Sequence, residues 1–132
     1  MLAQLLICDD VQFMADDKQF ALGRVINAAT VPTLPYVLKM PIFVKLFYVP
    51  TDRTFDMHFV VRTSDGKVLA VTGTNVLRNY RSVDQVPGVD TSVTLTHVIL
   101  QADTYILALF IDGEEVSSYP LTVRIESERI GA

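Results

Sequence analysis

The sequence has no tryptophan, one cysteine and two histidines. A lone Cys8 excludes an intramolecular disulfide and fits a reducing compartment. Without tryptophan, and with Tyr80 as the main loop aromatic, a stacking platform for sugars has little to build from. Basic residues are the minority, 11 against 15 acidic, giving a net charge of -4 and a pI near 5.0. Non-specific nucleic-acid binding needs a basic surface that displaces counterions, so no nucleic-acid partner is expected. No run reaches the roughly 18–20 apolar residues of a membrane helix, so no membrane partner is expected either. The opening Met1–Cys8 is apolar but lacks a basic leader and runs into Asp9-Asp10. It reads as a strand and not a secretory signal, and a cytoplasmic location is the expectation. Glycine-rich phosphate loops, calcium loops and N-glycosylation sequons are absent, and no cofactor is implied.

What is present is apolar residue in excess. Half of the 132 residues are hydrophobic and the mean hydropathy is +0.34. A chain of this length makes one domain, residues 1–132, burying roughly two-thirds of its unfolded surface. The surplus has to enter a core or an interface.

The pattern of that surplus is period two. Tyr105, Leu107, Leu109 and Ile111 share one side of a strand. Asp112-Gly113 then makes a tight turn, and Tyr119, Leu121, Val123 and Ile125 form the inward set of the returning strand. A second hairpin joins Phe55–Val61 to Val68–Thr72 through Ser64-Asp65-Gly66-Lys67. Ile42–Val49 is apolar on both faces, as expected of a central strand covered twice. Further strands are predicted over 3–14, with a break at Asp9-Asp10, over 20–26, with a bulge at Gly23, and over 93–99. Ala15–Lys18 is a turn. Residues 27–41, with Pro32, Pro35 and Pro41, are expected to cross between sheets without an interior strand. Residues 73–90 keep no alternation, and Val76, Tyr80 and Val83 fall at helical spacing. About eight strands with little helix indicate an all-β, two-sheet antiparallel sandwich of immunoglobulin-like kind. Tyr105, at the start of the penultimate strand, suits the buried corner tyrosine of such folds.

Leu6-Ile7-Cys8-Asp9, Lys18, Ala21-Leu22-Gly23, Val31-Pro32 and Leu34-Pro35 together resemble the opening of a family of small uncharacterised bacterial proteins. Ser64-Asp65-Gly66-Lys67, Tyr105, Asp112-Gly113 and Pro120-Leu121-Thr122-Val123 extend the likeness over most of the chain. The sequence departs at the first turn, where Asp17 stands in place of a common glycine. The resemblance implies a β-sandwich and transfers no functional residues.

No catalytic constellation emerges. His58 and His97 with Asp9, Asp10 or Asp56 could in principle hold a metal, but the spacing matches no ligand motif, and His58 falls on an outward face and His97 on an inward one, so a surface and a core histidine are expected. Cys8 sits in an apolar strand, where a thiol packs as a small hydrophobe. The acidic pairs Asp9-Asp10, Asp16-Asp17 and Glu114-Glu115 alternate faces and read as solvated turns. Arg78, Tyr80 and Arg81 form the one basic-aromatic cluster, a candidate hot spot or an ordinary loop. With 42–49 and 104–111 taken as neighbours in one sheet, Phe43, Phe47, Ile106 and Phe110 would form an exterior apolar patch. Burying roughly 400 Å² of it per subunit is worth on the order of 10 kcal/mol before association costs. A homodimer contact and a cover made by Val76, Leu77, Tyr80 and Val83 are both open. The leading expectation is therefore a non-catalytic interaction or scaffold module, homodimeric or bound to another protein. A small-ligand or carbohydrate-binding sandwich is the alternative.

Overall fold

The computed structural model describes residues 1–51, 53–79 and 87–126. Eleven strands form there, and no helical element does. β1 (Leu2–Ile7), β5 (Tyr36–Phe47) and β9 (Gly88–Ile99) make sheet I in the order β1-β5-β9. Sheet II runs β4 (Ala28–Val31), β11 (Glu114–Ile125), β10 (Asp103–Ile111), β6 (Thr54–Thr63), β7 (Val68–Val71). β8 (Asn75–Arg78) pairs with the other half of β6, beyond β7. A separate hairpin joins β2 (Val11–Met14) to β3 (Gln19–Leu22). The expected count of eight misses three elements. The first strand divides at Asp9-Asp10, and β4 and β8 are four-residue strands inside stretches that read as irregular.

The two sheets meet through one apolar core. Ile42, Val44 and Leu46 of β5 project inward from sheet I, and Phe59, Leu107, Leu109, Leu121 and Val123 from sheet II. Of the inward sets expected for β10 and β11, Tyr105, Leu107, Leu109, Ile111, Tyr119, Leu121 and Val123 are buried and Ile125 at the end is half-buried. The Tyr105 hydroxyl donates to the Gln101 carbonyl four residues upstream (2.6 Å), as a corner tyrosine does. Asp112 (φ 49°) and Gly113 (φ 81°) are both left-handed, the geometry of a two-residue hairpin turn. The Asp112 carboxylate accepts the Asp56 amide (2.8 Å), tying the turn to β6.

Three expectations need correction. First, β5 and β10 lie in different sheets, because hydrophobic alternation fixes which face a residue takes and not which strand stands beside it. Second, Pro41 lies inside a twelve-residue central strand. The Pro41 carbonyl accepts the Cys8 amide just past Ile7↔Ile42, the last β1–β5 pair. The missing proline donor thus faces the point where β1 leaves the ladder, and β9 pairs undisturbed on the other side. Third, β4 runs parallel to β11, so the fold is not wholly antiparallel. The helical spacing at Val76 also gives way to strand β8, paired to β6; Tyr80 and Val83 lie outside the described residues.

Gly23 closes β3 instead of bulging within a longer strand. A Cβ there would stand 2.1 Å from an Asp9 carboxylate oxygen, which would have to move off the Arg24 amide it accepts. Beyond it the chain crosses between sheets. The Asp9 amide donates to the Arg24 carbonyl and the Ile26 amide to the Ile7 carbonyl, both 2.9 Å, which binds the segment to sheet I. The Thr122 amide then donates to the Asn27 carbonyl (3.1 Å), and β4 joins β11 of sheet II. The Tyr119 hydroxyl reaches the Ile26 carbonyl (2.6 Å) from the β11 side. One flank of the sandwich is closed by these bonds. On the opposite flank no strand pairing joins β9 to β7 or β8 among the described residues.

Candidate functional site

Antiparallel pairing to β1 fixes what the outer face of sheet I carries. Leu6 stands opposite Phe43 and Leu2 opposite Phe47, all on the face away from the core. Lys45 lies between the two phenylalanines, its ammonium 3.1 Å from both oxygens of Asp90 and 5.3 Å from the Phe47 ring centre. The β2–β3 hairpin reaches over this face. Phe13 and Phe20 are cross-strand partners with ring centres 5.2 Å apart, and Phe20 continues to Phe43 at 5.4 Å. The result is a connected apolar surface running Phe13–Phe20–Phe43–Leu6, with Phe47 and Leu2 beyond Lys45. Phe43 is only 8 % exposed beneath the hairpin, whereas Phe13 is 56 % and Leu2 60 % exposed. Met14, Leu22 and Val25 add to the exposed apolar residues around the hairpin.

The exterior of sheet II is different. Ile106 and Phe110 do lie on it, but half-buried among their own neighbours. Phe110 stacks on His58 (4.8 Å, 17°), and Ala108 between them is fully buried. Arg62, opposite Ile106, forms a two-point ion pair with Glu115. That pair holds the Glu115 carboxyl below its ordinary range, chiefly through the Arg62 hydrogen bond. The structure therefore splits the expected four-residue patch. Phe43 and Phe47 belong to one layer, Ile106 and Phe110 to the other. Arg78 sits in β8; Tyr80 and Arg81 lie outside the described residues.

A cleft of about 850 Å³ opens on the unjoined flank. The β6–β7 turn supplies Asp65 and Lys67, β7 supplies Leu69, and the far wall carries His97, Val98 and Leu100. Its polar groups are largely paired with one another. Thr63 bonds Asp65, Gln101 approaches Asp103 (3.4 Å), and the Tyr105 hydroxyl is committed to the Gln101 carbonyl. His97 meets the Tyr105 ring edge-on (5.9 Å), and partial burial lowers its pKa, favouring the neutral imidazole. His97 and His58 face opposite ways, as their strand positions require. Burial, and then the Asp9 charge, push the Cys8 thiol up, away from nucleophilic use. The Arg24 side chain, and then its amide, hold the Asp9 carboxyl below its ordinary value. Among the described residues no three His, Cys, Asp or Glu side chains converge as a metal site, and no helix is long and apolar enough to cross a membrane.

Residues 42–49 announce Phe43 and Phe47 as outward-facing. Phe13 and Phe20 escape notice because their partnership depends on the hairpin closing at Ala15–Lys18 and folding back over β5. Their symmetric placement about that turn is the signal that could have found them. The sequence model of a family of unknown function, DUF6941, matches residues 3–124, and the chain belongs to that family. Comparison with curated proteins gives no match.

Proposed function

We propose that this member of DUF6941 is a non-catalytic protein-interaction or scaffold module that docks a partner on the outer face of sheet I. The observation that carries the proposal is the connected apolar surface of Phe13, Phe20, Phe43 and Leu6, with Leu2 and Phe47 beyond Lys45. Leu2 and Phe13 at its ends are more than half exposed, and Met14, Leu22 and Val25 extend the exposed apolar area around the hairpin. Asp10, Asp16 and Asp17 outnumber Lys18 around the hairpin, so the fitting partner offers apolar side chains ringed by basic ones. An immunoglobulin-like architecture is supported by the Tyr105 corner, and the lone free Cys8 supports a cytoplasmic setting.

The test is capture of a partner from the native host by the full chain, beside Phe13→Asp. Phe13 touches the core of neither sheet, so the variant is expected to fold with an unchanged unfolding midpoint and to lose its partner. Equal capture by wild type and variant would overturn the proposal. Small-ligand binding has one observation in its favour, the cleft beside His97 and Tyr105. A thermal-shift screen reports on it, with a ligand-dependent rise in midpoint that Leu100→Glu removes.

A further inference from the structure

β9 is twelve residues long, and among the described residues no strand pairs with its Ser92–Val98 side away from β5. Its register against β5 runs from Tyr36↔Ile99 to Phe47↔Gly88 without a shift. The Pro41 carbonyl points to β1, so alternate residues of β5 aim at β1 and the rest at β9. Thr94, opposite Pro41, consequently directs its amide and carbonyl away from β5, and so do Ser92, Thr96 and Val98. None of these four has a backbone partner among the described residues. Their side chains are exposed.

Sheet edges that must stay single are short, bulged, charged or prolyl. The opposite edge follows that rule: β7 and β8 are four residues each, with a register shift at Val61/Arg62. β9 follows none of it. From Thr91 to Ile99 it has no charge, no proline and no bulge.

We infer that the Ser92–Val98 edge of β9 pairs antiparallel with the same edge of a second copy of this chain. The edge is complementary to itself about Leu95. Ser92 of one copy then stands opposite Val98 of the other, and Thr94 opposite Thr96, so all four outward-directed positions on each chain find partners, with about eight N–H···O=C bonds between copies. The outer face gains a Ser/Thr ladder, and the two Leu95 side chains meet on the inner face. Asp90, already paired with Lys45, lies opposite the apolar Leu100, so no like charges oppose. The pairing also covers Val98 and Leu100, the latter 73 % exposed. A seam of seven residues is about 24 Å long. That is at the small end of stable interfaces, and the expected dissociation constant is micromolar. The edge is separate from the apolar hairpin face, and neither proposal requires the other.

Sedimentation equilibrium from about 1 to 200 μM tests this on the full chain, beside Thr94→Pro and Thr96→Lys. Both substitutions change outward-directed positions and remove no bond within the chain. The expected result is a wild-type dimer and two folded monomers. A wild type monomeric throughout, or dimers persisting in both folded variants, overturns the inference. Loss of the dimer in Phe13→Asp but not in Thr96→Lys also overturns it and assigns self-association to the hairpin face. Should the substituted chains not fold, amide exchange of wild type gives the same decision. The Ser92, Thr94, Thr96 and Val98 amides must gain at least tenfold protection with concentration, and unchanged exchange refutes the pairing.

Discussion

Along the flank where β1 approaches β11, residues 24–31 hydrogen-bond first one sheet and then the other, whereas along the flank of β9 and β7 each sheet ends in a strand of its own. The difference shows what joins the layers of a sandwich. Burial of Ile42, Val44, Leu107 and Leu121 holds the sheets face to face everywhere. Backbone bonds connect them where residues 24–31 pass across. Along Ser92–Val98 of β9 no such bond is present among the described residues, and strand pairing is available there to a visitor.

The comparison can be broken at the joined flank most forcefully. Ile7 is fully buried and its carbonyl takes the Ile26 amide. Ile7→Ala is expected to lower unfolding stability by about 3 kcal/mol in urea titration. A loss below about 1 kcal/mol would mean that this flank is not packed as described. A finer contrast comes from two tyrosines whose hydroxyls make equally short bonds. Tyr119 bonds across the closed flank to Ile26, and Tyr105 to the exposed turn at Gln101. Tyr119→Phe should cost about 1.5 kcal/mol. Tyr105→Phe should cost less than about 1 kcal/mol, because water entering the open cleft replaces the lost donor. Denaturant midpoints showing the reverse order would contradict the contrast.

The smallest effect is a pH dependence at His97. Its folded pKa is lowered by burial, so the unfolded chain takes up the proton first as pH falls. Stability is therefore intact well above the ordinary histidine value of about 6.5 and declines as pH drops through it. The depressed carboxyls of Asp9, Asp65 and Glu115 act in the same direction but only nearer the carboxylate range. Thermal midpoints between pH 7.5 and 5 should fall more steeply for wild type than for His97→Gln. Parallel curves would show that His97 is not desolvated.

Much of the fold was legible wherever the chain pairs with itself locally. The Asp112-Gly113 and Ser64–Lys67 turns, the inward faces of β10 and β11 and the corner role of Tyr105 all follow from alternation and turn chemistry. The parallel β4–β11 pairing has no local signature, since its partners are distant in sequence and β4 is only four residues long. Pro41 misled because its effect depends on which neighbour its nitrogen faces. The two-faced apolarity of β5 was correctly read as double cover, but the second cover is the β2–β3 hairpin, through Phe20 on Phe43. Assigning it to a shared sheet with β10 joined Phe47 to Phe110 across a boundary that the strand order places between them.

The crossing segment has a consequence in time. Its bond from Tyr119 to Ile26 joins residues 93 apart, and β4 has no sheet to enter before β11 exists. Closing loops of that length is slow, and synthesis delivers the amino terminus first. On the ribosome β1 and the phenylalanine-bearing hairpin can settle on β5 as soon as that strand emerges, but Ala28–Val31 must wait until β11, some ninety residues later, is available to pair with it. Its vulnerable interval is the one in which chaperones would meet it.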